Sequence, residues 1–426
     1  MALAENRLAE SACSVSRFRF PPMRSRVAVV GCGPAGAAAA LFLARQGREV
    51  EVFERAPKLE PIGAGVLIQP TGLFVAERLG LRDRLLDLGA KVRTLSGRTR
   101  SGRLVLELNY RYFAPDGFSL GVHRGTLFRV LQDALLAEGV LIRAGGEIAR
   151  VRQLDGRAVL LEDVAGRRFG PYDLVIAADG AHSRLRDASP YCWLSKPHPW
   201  GALWTTAPDP DGAFSRGEAL IQVYEGTRRM LGVKPSGRLP DGKTPLVTIF
   251  WSIRLDQIPA WREAGLDAWK KEAAALAPFA APLLERIDNA DAIVPSSYHN
   301  VWMSRWTEGR AAYIGDAAHA TSPQLGQGVN LGLWDAMVLA QCLQDAPDIP
   351  AGLARYHGRR RRNVRFYQLA AGFLTPFFQS DFDFLAWPRD LALGTLCRLP
   401  WTRTEGARVA AGVKTGLFSS MALEDR

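Results

Sequence analysis

The chain has 426 residues, of which 47% are hydrophobic. This is room for two large domains, or one domain with a substantial insert, in a globular protein of ordinary composition. No apolar run reaches the ~18–20 residues that cross a bilayer. The formal net charge of +11 favours anionic partners such as nucleotides, acidic substrates or an anionic membrane surface. With no zinc-finger spacing and no RNA- or DNA-binding signature, nucleic acid is a poor fit.

Residues 1–23 are mixed in charge and lack a continuous apolar core. They are expected to form a dispensable N-terminal extension, not a secretory signal, with Met23 as an alternative start. Arg26-Val27-Ala28-Val29-Val30 is then a short β-branched run, the pattern of a buried strand. Gly31-Cys32-Gly33-Pro34-Ala35-Gly36 follows directly. An Ala- and Leu-rich helix runs on to about Gln46, where Gly47 ends it. Glu49–Glu54 reads as a second strand with an acid at its C-terminal end.

Strand, glycine turn, helix, strand and acid form the order of a dinucleotide-binding unit. Gly31 makes the tight turn, Gly33 lets the backbone approach a pyrophosphate, and Gly36 lets helix and strand close together. The helix N-terminus offers free N–H groups and a positive dipole end to phosphates. Glu54 can accept hydrogen bonds from the ribose hydroxyls of an adenosine. Its charge repels a 2′-phosphate, so NADP is disfavoured in this pocket and NAD or FAD remain.

Gly121–Leu127 leads into a helix whose apolar residues Leu127, Val130, Leu131 and Leu135 recur at helical spacing through about Ala137. Arg124 stands at its start, either as a solvated neighbour of the helix end or as a group that reaches the nucleotide. Tyr172 to Gly180 reads as one buried strand ending in Asp179-Gly180, placed where it would rejoin the first sheet. His182, just beyond, reads as a structural turn residue. From about Pro190 to Tyr298 the texture changes. Strand-like runs at 219–224, 229–233 and 246–253, separated by Gly, Pro and Asp, predict an antiparallel sheet, and a helical stretch follows over about 266–286. Trp200, Trp204, Tyr224, Phe250 and Trp251 are candidates to line a pocket there, with ordinary core as the plainer role.

Ala311–Ile314 is another short buried strand, and Gly315-Asp316 follows it. Asp316 is placed to accept a hydrogen bond from a ribityl hydroxyl. The loop from Ser322 to Gly328 is punctuated by Pro323, Gly326 and Gly328, and a helix begins near Val329. Leu331, Trp334, Val338 and Cys342 recur along that helix and are expected to face the core. Backbone N–H groups of the loop and the helix dipole favour negative charge, which a reduced flavin carries on its pyrimidine side.

Arg359-Arg360-Arg361-Arg362 lies in a helical stretch and reads as a solvated face, with a basic surface for lipid or partner as the other reading. The segment from Phe373 to Trp401 is unusually aromatic, fit to cover a pocket, form a dimer face or touch a membrane. Cys13, Cys32, Cys192, Cys342 and Cys397 form no CxxC pair, which suggests a reducing compartment and no metal site.

Taken together, these motifs resemble those of the single-component (class A) flavoprotein monooxygenases. That family includes the salicylate, 4-hydroxybenzoate and ubiquinone-biosynthesis hydroxylases. Gly31-x-Gly33-x-x-Gly36 with Glu54, the strand ending Asp179-Gly180, and Gly315-Asp316 with Pro323 and Gly326-Gln327-Gly328 match in order, over roughly residues 24–370. The resemblance implies an α/β fold: a Rossmann-like FAD-binding domain with an inserted antiparallel-sheet substrate domain and a helical C-terminal region. The corresponding spans are an extension at 1–23, FAD-binding segments at 24–189 and 301–350, a substrate domain at 190–300 and a helical region at 351–426.

The resemblance also implies non-covalent FAD as cofactor and NADH or NADPH as co-substrate. The flavin would swing out to meet the nicotinamide and in to meet the substrate. Its C4a-hydroperoxide would then deliver one oxygen atom of O2 to an aromatic or lipophilic small molecule, by hydroxylation or epoxidation. The implied cofactor contacts are Gly31, Gly33, Ala35, Gly36, Glu54, Arg55, Arg124, Asp179, Asp316, Pro323, Gly326, Gly328, Val329 and Asn330. No catalytic acid or base is assigned. Tyr224 and Arg254 are candidates to deprotonate or anchor a phenol, and structural roles are the simpler reading for both. A cytoplasmic location is expected, with a homodimer or peripheral membrane contact through the C-terminal region left open. An isoprenoid-type flavin reductase and a flavin-dependent halogenase remain as alternatives. Trp251-Ser252-Ile253-Arg254 lacks the second tryptophan of the halogenase Trp-x-Trp-x-Ile-Pro string, and Ile258-Pro259 comes late.

Overall fold

The computed structural model describes residues 25–59 and 64–423. The expected extension 1–23, with Met23 and Cys13, lies outside them. A six-stranded sheet runs, in spatial order, through Thr307–Glu308, Ala311–Tyr313, Leu174–Ala177, Arg26–Val30, Glu49–Glu54 and Leu141–Ala144. All of its pairings except that of Thr307–Glu308 are parallel. Val29 stands between Ile176 and Val52 in the register. Three adjacent strands therefore end at one edge: Arg26–Val30 runs into Gly31, Leu174–Ala177 into Asp179, and Ala311–Tyr313 into Gly315. Ligands of open parallel sheets bind at this C-terminal edge.

The strand expected from Tyr172 begins later, at Leu174. Tyr172 instead closes the strand Arg168–Tyr172 of a separate three-stranded sheet with Ile148–Leu154 and Ala158–Asp163. The physical reason is local. The Asp173 carboxylate accepts the Arg26 N–H at 2.8 Å, and the chain passes from one sheet to the other at that residue.

Helix Pro34–Arg45 follows the first strand, and Gly47 (φ +79°) turns the chain back just past its end. It packs against Gly328–Gln344, a helix buried on nearly every side, including Leu331, Trp334, Val338 and Cys342. A helix apolar all round belongs in the interior.

A seven-stranded sheet is built in the order Val294–Met303, Cys192–Pro208, Leu246–Arg254, Arg229–Pro235, Ala219–Glu225, Thr94–Thr99 and Leu104–Asn109. Its last two strands come from ahead of residue 190, and Ala219–Glu225 pairs with Thr94–Thr99 in parallel; the other pairings are antiparallel. Side chains alternate between its faces. Leu203, Leu231, Val233, Ile249 and Trp251 join a core cluster with Trp269, Ala273 and Leu276 of the helix Ile258–Leu276. Tyr224, Met230 and Phe250 join a different cluster with Leu67, Trp204 and Phe378. The covering helix starts earlier than expected, with Pro259 in its first turn, and is interrupted at Gly265 (φ +83°). Short turns at Pro278–Ala280 and Ala281–Leu284 complete the stretch.

The C-terminal region holds the 30-residue helix Ile349–Phe378 and the helix Pro400–Ala411. Among the described residues, no helix is long and apolar enough to cross a membrane.

Candidate active site

Gly31 has φ +101° and donates to the Phe53 carbonyl at 2.7 Å. A Cβ there would run into the Ala178 carbonyl, and a Cβ on Gly36 would run into the carbonyl oxygen of Gly31. Both glycines are thus required by close backbone approach. Gly33 differs, because nothing lies within 4 Å of its Cβ position. It opens onto a cleft lined also by Gly31, Glu54, Arg55 and Asp179, as well as Gly146, Glu147, His182 and Arg184.

Glu54 accepts the N–H groups of Cys32 at 2.8 Å and Ala56 at 3.0 Å, one on each carboxylate oxygen. These bonds fix the carboxylate at the end of the second strand, and each oxygen keeps a lone pair for a ribose hydroxyl. Burial, reinforced by the Glu54 charge, pushes the Cys32 thiol up to about 12, so it is inert at neutral pH. Asp179 has a buried Oδ1 with no hydrogen-bond partner. Burial raises its carboxyl above the ordinary range, against the lowering effect of Ser183 and nearby backbone N–H groups. A buried polar atom without a partner requires an explanation; here a ligand hydroxyl or N–H in the cleft supplies one. The open Gly33, the fixed Glu54 and the orphaned Asp179 atom fit the nucleotide part of FAD.

The second motif is held from behind. Gly315 (φ +59°) donates its N–H to Asp335 Oδ2 at 2.8 Å. The same carboxylate meets His319 Nε2 and Arg360 Nε, each at 2.6 Å, and all three side chains are nearly or wholly inaccessible. Burial alone would raise the Asp335 carboxyl; His319, Arg360 and the Gly315 N–H outweigh it and hold the group below its ordinary value. Arg360 also donates to Asn363 Oδ1 at 2.7 Å, and Asn363 donates to the carbonyls of Gly412 at 3.1 Å and Lys414 at 2.7 Å. The solvated face read for the arginine run holds for Arg359, Arg361 and Arg362, which are exposed, whereas Arg360 turns into the core.

Asp316 is exposed, and its Oδ1 lies 3.6 Å from the Cβ position of Gly328. Pro323 opens a single 3-10 turn that ends at Gly326 (φ +61°). Ala35 joins the two motifs: its Cβ lies 3.1 Å from the Cβ position of Gly315 and 3.0 Å from that of Gly332. Val329 packs against the main core. Asn330 is buried, accepts the Gln69 N–H at 2.8 Å, and donates to the carbonyls of Leu67 and Gly326, both at 3.1 Å. Its side chain is spent on tying the loop to the strand Gly65–Ile68. Arg124 is exposed at the start of the helix Arg124–Ala137, its N–H donating to the Ala64 carbonyl at 2.9 Å. It stands by the strand Gly65–Ile68, apart from the residues that line the Gly33 cleft.

Tyr224 is buried, with Arg389 5.0 Å above its ring and Phe378 at 5.3 Å. It borders a groove beside Trp387, away from the Gly33 cleft. Arg254 is paired with Asp256 at 3.0 Å and with Asp381. Both residues therefore have structural partners. Of the candidate aromatics, Trp204 and Phe250 stack at 4.9 Å on the side of Leu67, whereas Trp251 belongs to the opposite core. His182 does more than turn the chain: it borders the cleft and meets the His299 ring at 4.7 Å. Sequence reasoning missed Gly146, Glu147 and Arg184 as cleft residues. The Glu147–Arg184 ion pair at 2.7 Å joins segments 37 residues apart, and no local pattern announces it.

The FAD binding domain family matches residues 24–366. The chain is 31% identical over 357 residues to 3-amino-4-hydroxybenzoate 2-monooxygenase of Streptomyces cremeus, covering 78% of this chain and 82% of that protein. It is 28% identical over 386 residues to aurachin C monooxygenase/isomerase of Stigmatella aurantiaca, covering 85% and 92% respectively. Its fold is similar to that of Klebsiella pneumoniae HpxO complexed with FAD and uric acid, with a TM-score of 0.76 and 22% identity over 90% of this chain and 97% of that one. With both glycine motifs on one sheet edge and these matches across most of its length, the chain belongs to the FAD-dependent aromatic monooxygenases.

Proposed function

We propose that the protein uses NADH or NADPH and O2 to insert one oxygen atom into an aromatic or lipophilic small molecule. The carrying observation is the junction at Ala35, Gly315 and Gly332, which sets the two motifs together at one sheet edge. When bound, FAD supplies the redox chemistry and oxygen activation; the chain supplies position, charge and exclusion of water.

In this reading the N–H groups of Gly33, Ala35 and Gly36 would receive the pyrophosphate, Glu54 and Asp179 would hold hydroxyls of the nucleotide, and Asp316 would hold the ribityl chain. The helix start at Gly328–Val329 faces the electron-rich side of the ring system. Leu67, Trp204 and Phe250 pack in one apolar cluster, against which a flat substrate would lie in this reading. The Streptomyces relative is named for a hydroxybenzoate and the Klebsiella structure holds uric acid, and both molecules are flat rings with acidic groups. Four unpaired thiols, Cys32, Cys192, Cys342 and Cys397, support a reducing, cytoplasmic setting.

The test is NADH and NADPH consumption by the FAD-loaded protein across a panel of phenols, aromatic acids and quinone precursors. The expected result is consumption stimulated by at least one ring compound, with a product heavier by one oxygen. Consumption that no compound stimulates, or a product that gains only hydrogen, contradicts the proposal; the second outcome favours a reductase.

Most exposed large apolar side chains of the described residues lie between Leu369 and Phe418, including Phe373, Phe384, Trp387, Trp401 and Phe418. Phe384, Trp387 and Leu391 follow at helical spacing. An apolar surface of this kind marks a contact site, and the same reading assigns it to self-association. Sedimentation of the wild type as a dimer or larger, and of an F384S/W387S variant as a monomer, is the expected result. A monomeric wild type that binds lipid vesicles moves this face to membrane contact instead.

A further inference from the structure

The polar side chains of the loop from Ser322 to Gly328 all turn toward the C-terminal region. Ser322 Oγ and Thr375 Oγ1 share a hydrogen at 2.5 Å, and Gln324 Nε2 donates to Gln379 Oε1 at 3.4 Å. Gln327 Nε2 donates to the carbonyls of Val409 at 3.3 Å and Ala410 at 2.7 Å. Those two carbonyls stand in the last turn of the helix Pro400–Ala411, where the backbone has run out of intrahelical donors. Gln327 is 3% exposed, so water is not at hand to cap them and the amide does so instead. Its Oε1 is buried and has no partner. The amide is therefore held by its donor bonds alone.

Gln327 is also the residue from which the helix Gly328–Gln344 starts. Its carbonyl accepts the Leu331 N–H at 2.9 Å, and its side chain makes no cap on that helix. The first N–H groups of the helix are thus left for a ligand, and the backbone that aims them is fixed by a side chain clasping another helix.

A second line of contacts ends at the same place. Gly315 leads through Asp335, Arg360 and Asn363 to the carbonyls of Gly412 and Lys414. Tyr367 donates its hydroxyl to the Val409 carbonyl at 2.9 Å and accepts the Lys414 N–H at 3.3 Å. Gly412 (φ +90°) allows no side chain: a Cβ there would run into Thr71 Oγ1 and lie 3.1 Å from Gln327 Oε1. Both glycine loops at the cofactor edge are thus tied, by separate routes, to the turn at 409–414.

We propose that the turn at 409–414 positions the flavin ring. By clasping Gln327 it fixes where the helix Gly328–Gln344 begins and where its free N–H groups point. The inference rests on the function proposed above, in which that helix start faces the ring, and it makes Gln327 and Gly412 positioning residues. Donors aimed at a ring that gains negative charge on reduction favour the reduced form. Loosening the clasp therefore lowers the midpoint potential of the bound flavin.

The experiment measures that potential, with the unfolding temperature of the apoprotein beside it, for full-length wild type, Gln327→Met, Gly412→Ala and the double variant. Methionine keeps the length of the side chain and removes its donors; alanine sets a Cβ against Thr71 and Gln327. Each single variant is expected to lose tenfold in preference for the reduced form, a fall of about 30 mV for a two-electron couple. The double variant is expected to fall no further, because both changes act through one contact.

A yellow Gln327→Met protein with the wild-type potential overturns the inference and leaves the monooxygenase reading standing, whatever its unfolding temperature, since Gln327 is then only a helix cap. Effects that add in the double variant overturn it too, because the turn would not act through Gln327. Where Gly412→Ala does not fold, Tyr367→Phe replaces it, removing the hydroxyl that holds Val409 and Lys414, with the same non-additivity expected. A wild type that takes up no FAD overturns the proposed function itself, and this inference with it.

Discussion

Asp335 sits between His319 and Arg360 with no exposure, and its second duty is to hold the Gly315 N–H that shapes the cofactor loop. Replacing it with Asn leaves Arg360 buried without its carboxylate. Breaking a buried pair in this way costs about 3–5 kcal/mol, so Asp335→Asn should unfold at markedly lower denaturant concentration and retain less FAD. The folded-state value of Asp335 is depressed, so its contribution is complete above the ordinary carboxyl range and is lost as pH falls through the lower folded value. Between pH 5 and pH 8 the wild type should therefore show no change in stability from this group, with the loss appearing only in stronger acid.

Lys234, buried near the end of the strand Arg229–Pro235, has the opposite sign. Burial first, then Arg124, pushes its folded value down to about 7, below that of the unfolded chain, so between the two the unfolded state binds more protons and stability rises with pH. Wild-type apoprotein should gain stability from pH 7 to pH 9 relative to Lys234→Met. Equal slopes for the two proteins would contradict that assignment. At Glu54 the expectation concerns binding. Glu54→Ala removes the acceptor for Cys32 and Ala56 and, in the proposed function, for the ribose; hydrogen bonds to a charged group contribute roughly 1.5–3 kcal/mol each. FAD affinity measured by flavin fluorescence should fall at least tenfold.

Gly31, Gly36 and Glu54 were legible in the sequence because their duties lie within one strand–turn–helix unit. Asn330 and Arg360 were not, because their partners are set by the tertiary fold: Asn330 binds the Leu67 carbonyl, 263 positions away. Lys234 lies in a recognisable strand, but which face it takes, and what that face meets, depends on the strand Gly65–Ile68.

At the scale of elements, the helix Pro34–Arg45 and the helix Gly328–Gln344 touch where Ala35 meets Gly332. A branched side chain at Gly332 forces them apart. Gly332→Val should cost about 1–3 kcal/mol, the usual range for overpacking, and should weaken FAD binding by more than it lowers the unfolding temperature. Equal binding of FAD by this variant would show that the junction does not position the cofactor.

The parallel strands around Arg26–Val30 and the helices after each glycine turn were readable from apolar runs and glycine punctuation. Thr94–Thr99 was not, since Thr-Leu-Ser-Gly-Arg-Thr is mostly half-buried and lacks a clear apolar period. It completes a sheet whose other strands lie far along the chain. Tyr172 was assigned to the wrong strand for a related reason. Tyr172 stands one residue ahead of the apolar run that begins at Leu174, and only the hydrogen bond from Arg26 to the intervening Asp173 carboxylate reveals the change of sheet.

In the whole molecule, a parallel sheet supplies the edge that gathers Gly31, Asp179 and Gly315, and a second sheet brings Phe250, Trp204 and Lys234 against the strand Gly65–Ile68. The general architecture follows from the order of motifs. The depth of the proposed substrate face does not, because it depends on which residues of two sheets meet. The aromatic surface from Leu369 to Phe418 was visible as composition, and its exposure emerged only from the packing of the C-terminal helices.

The most direct test of this account is the fate of isotopically labelled oxygen. The FAD-loaded protein is supplied with NADH or NADPH, the ring compound that most stimulates consumption, and 18O2 in ordinary water. The account requires a product that carries one 18O atom, with NAD(P)H consumed in proportion. A product whose new oxygen comes from water, or flavin turnover that yields no oxygenated product with any compound of the panel, would contradict it.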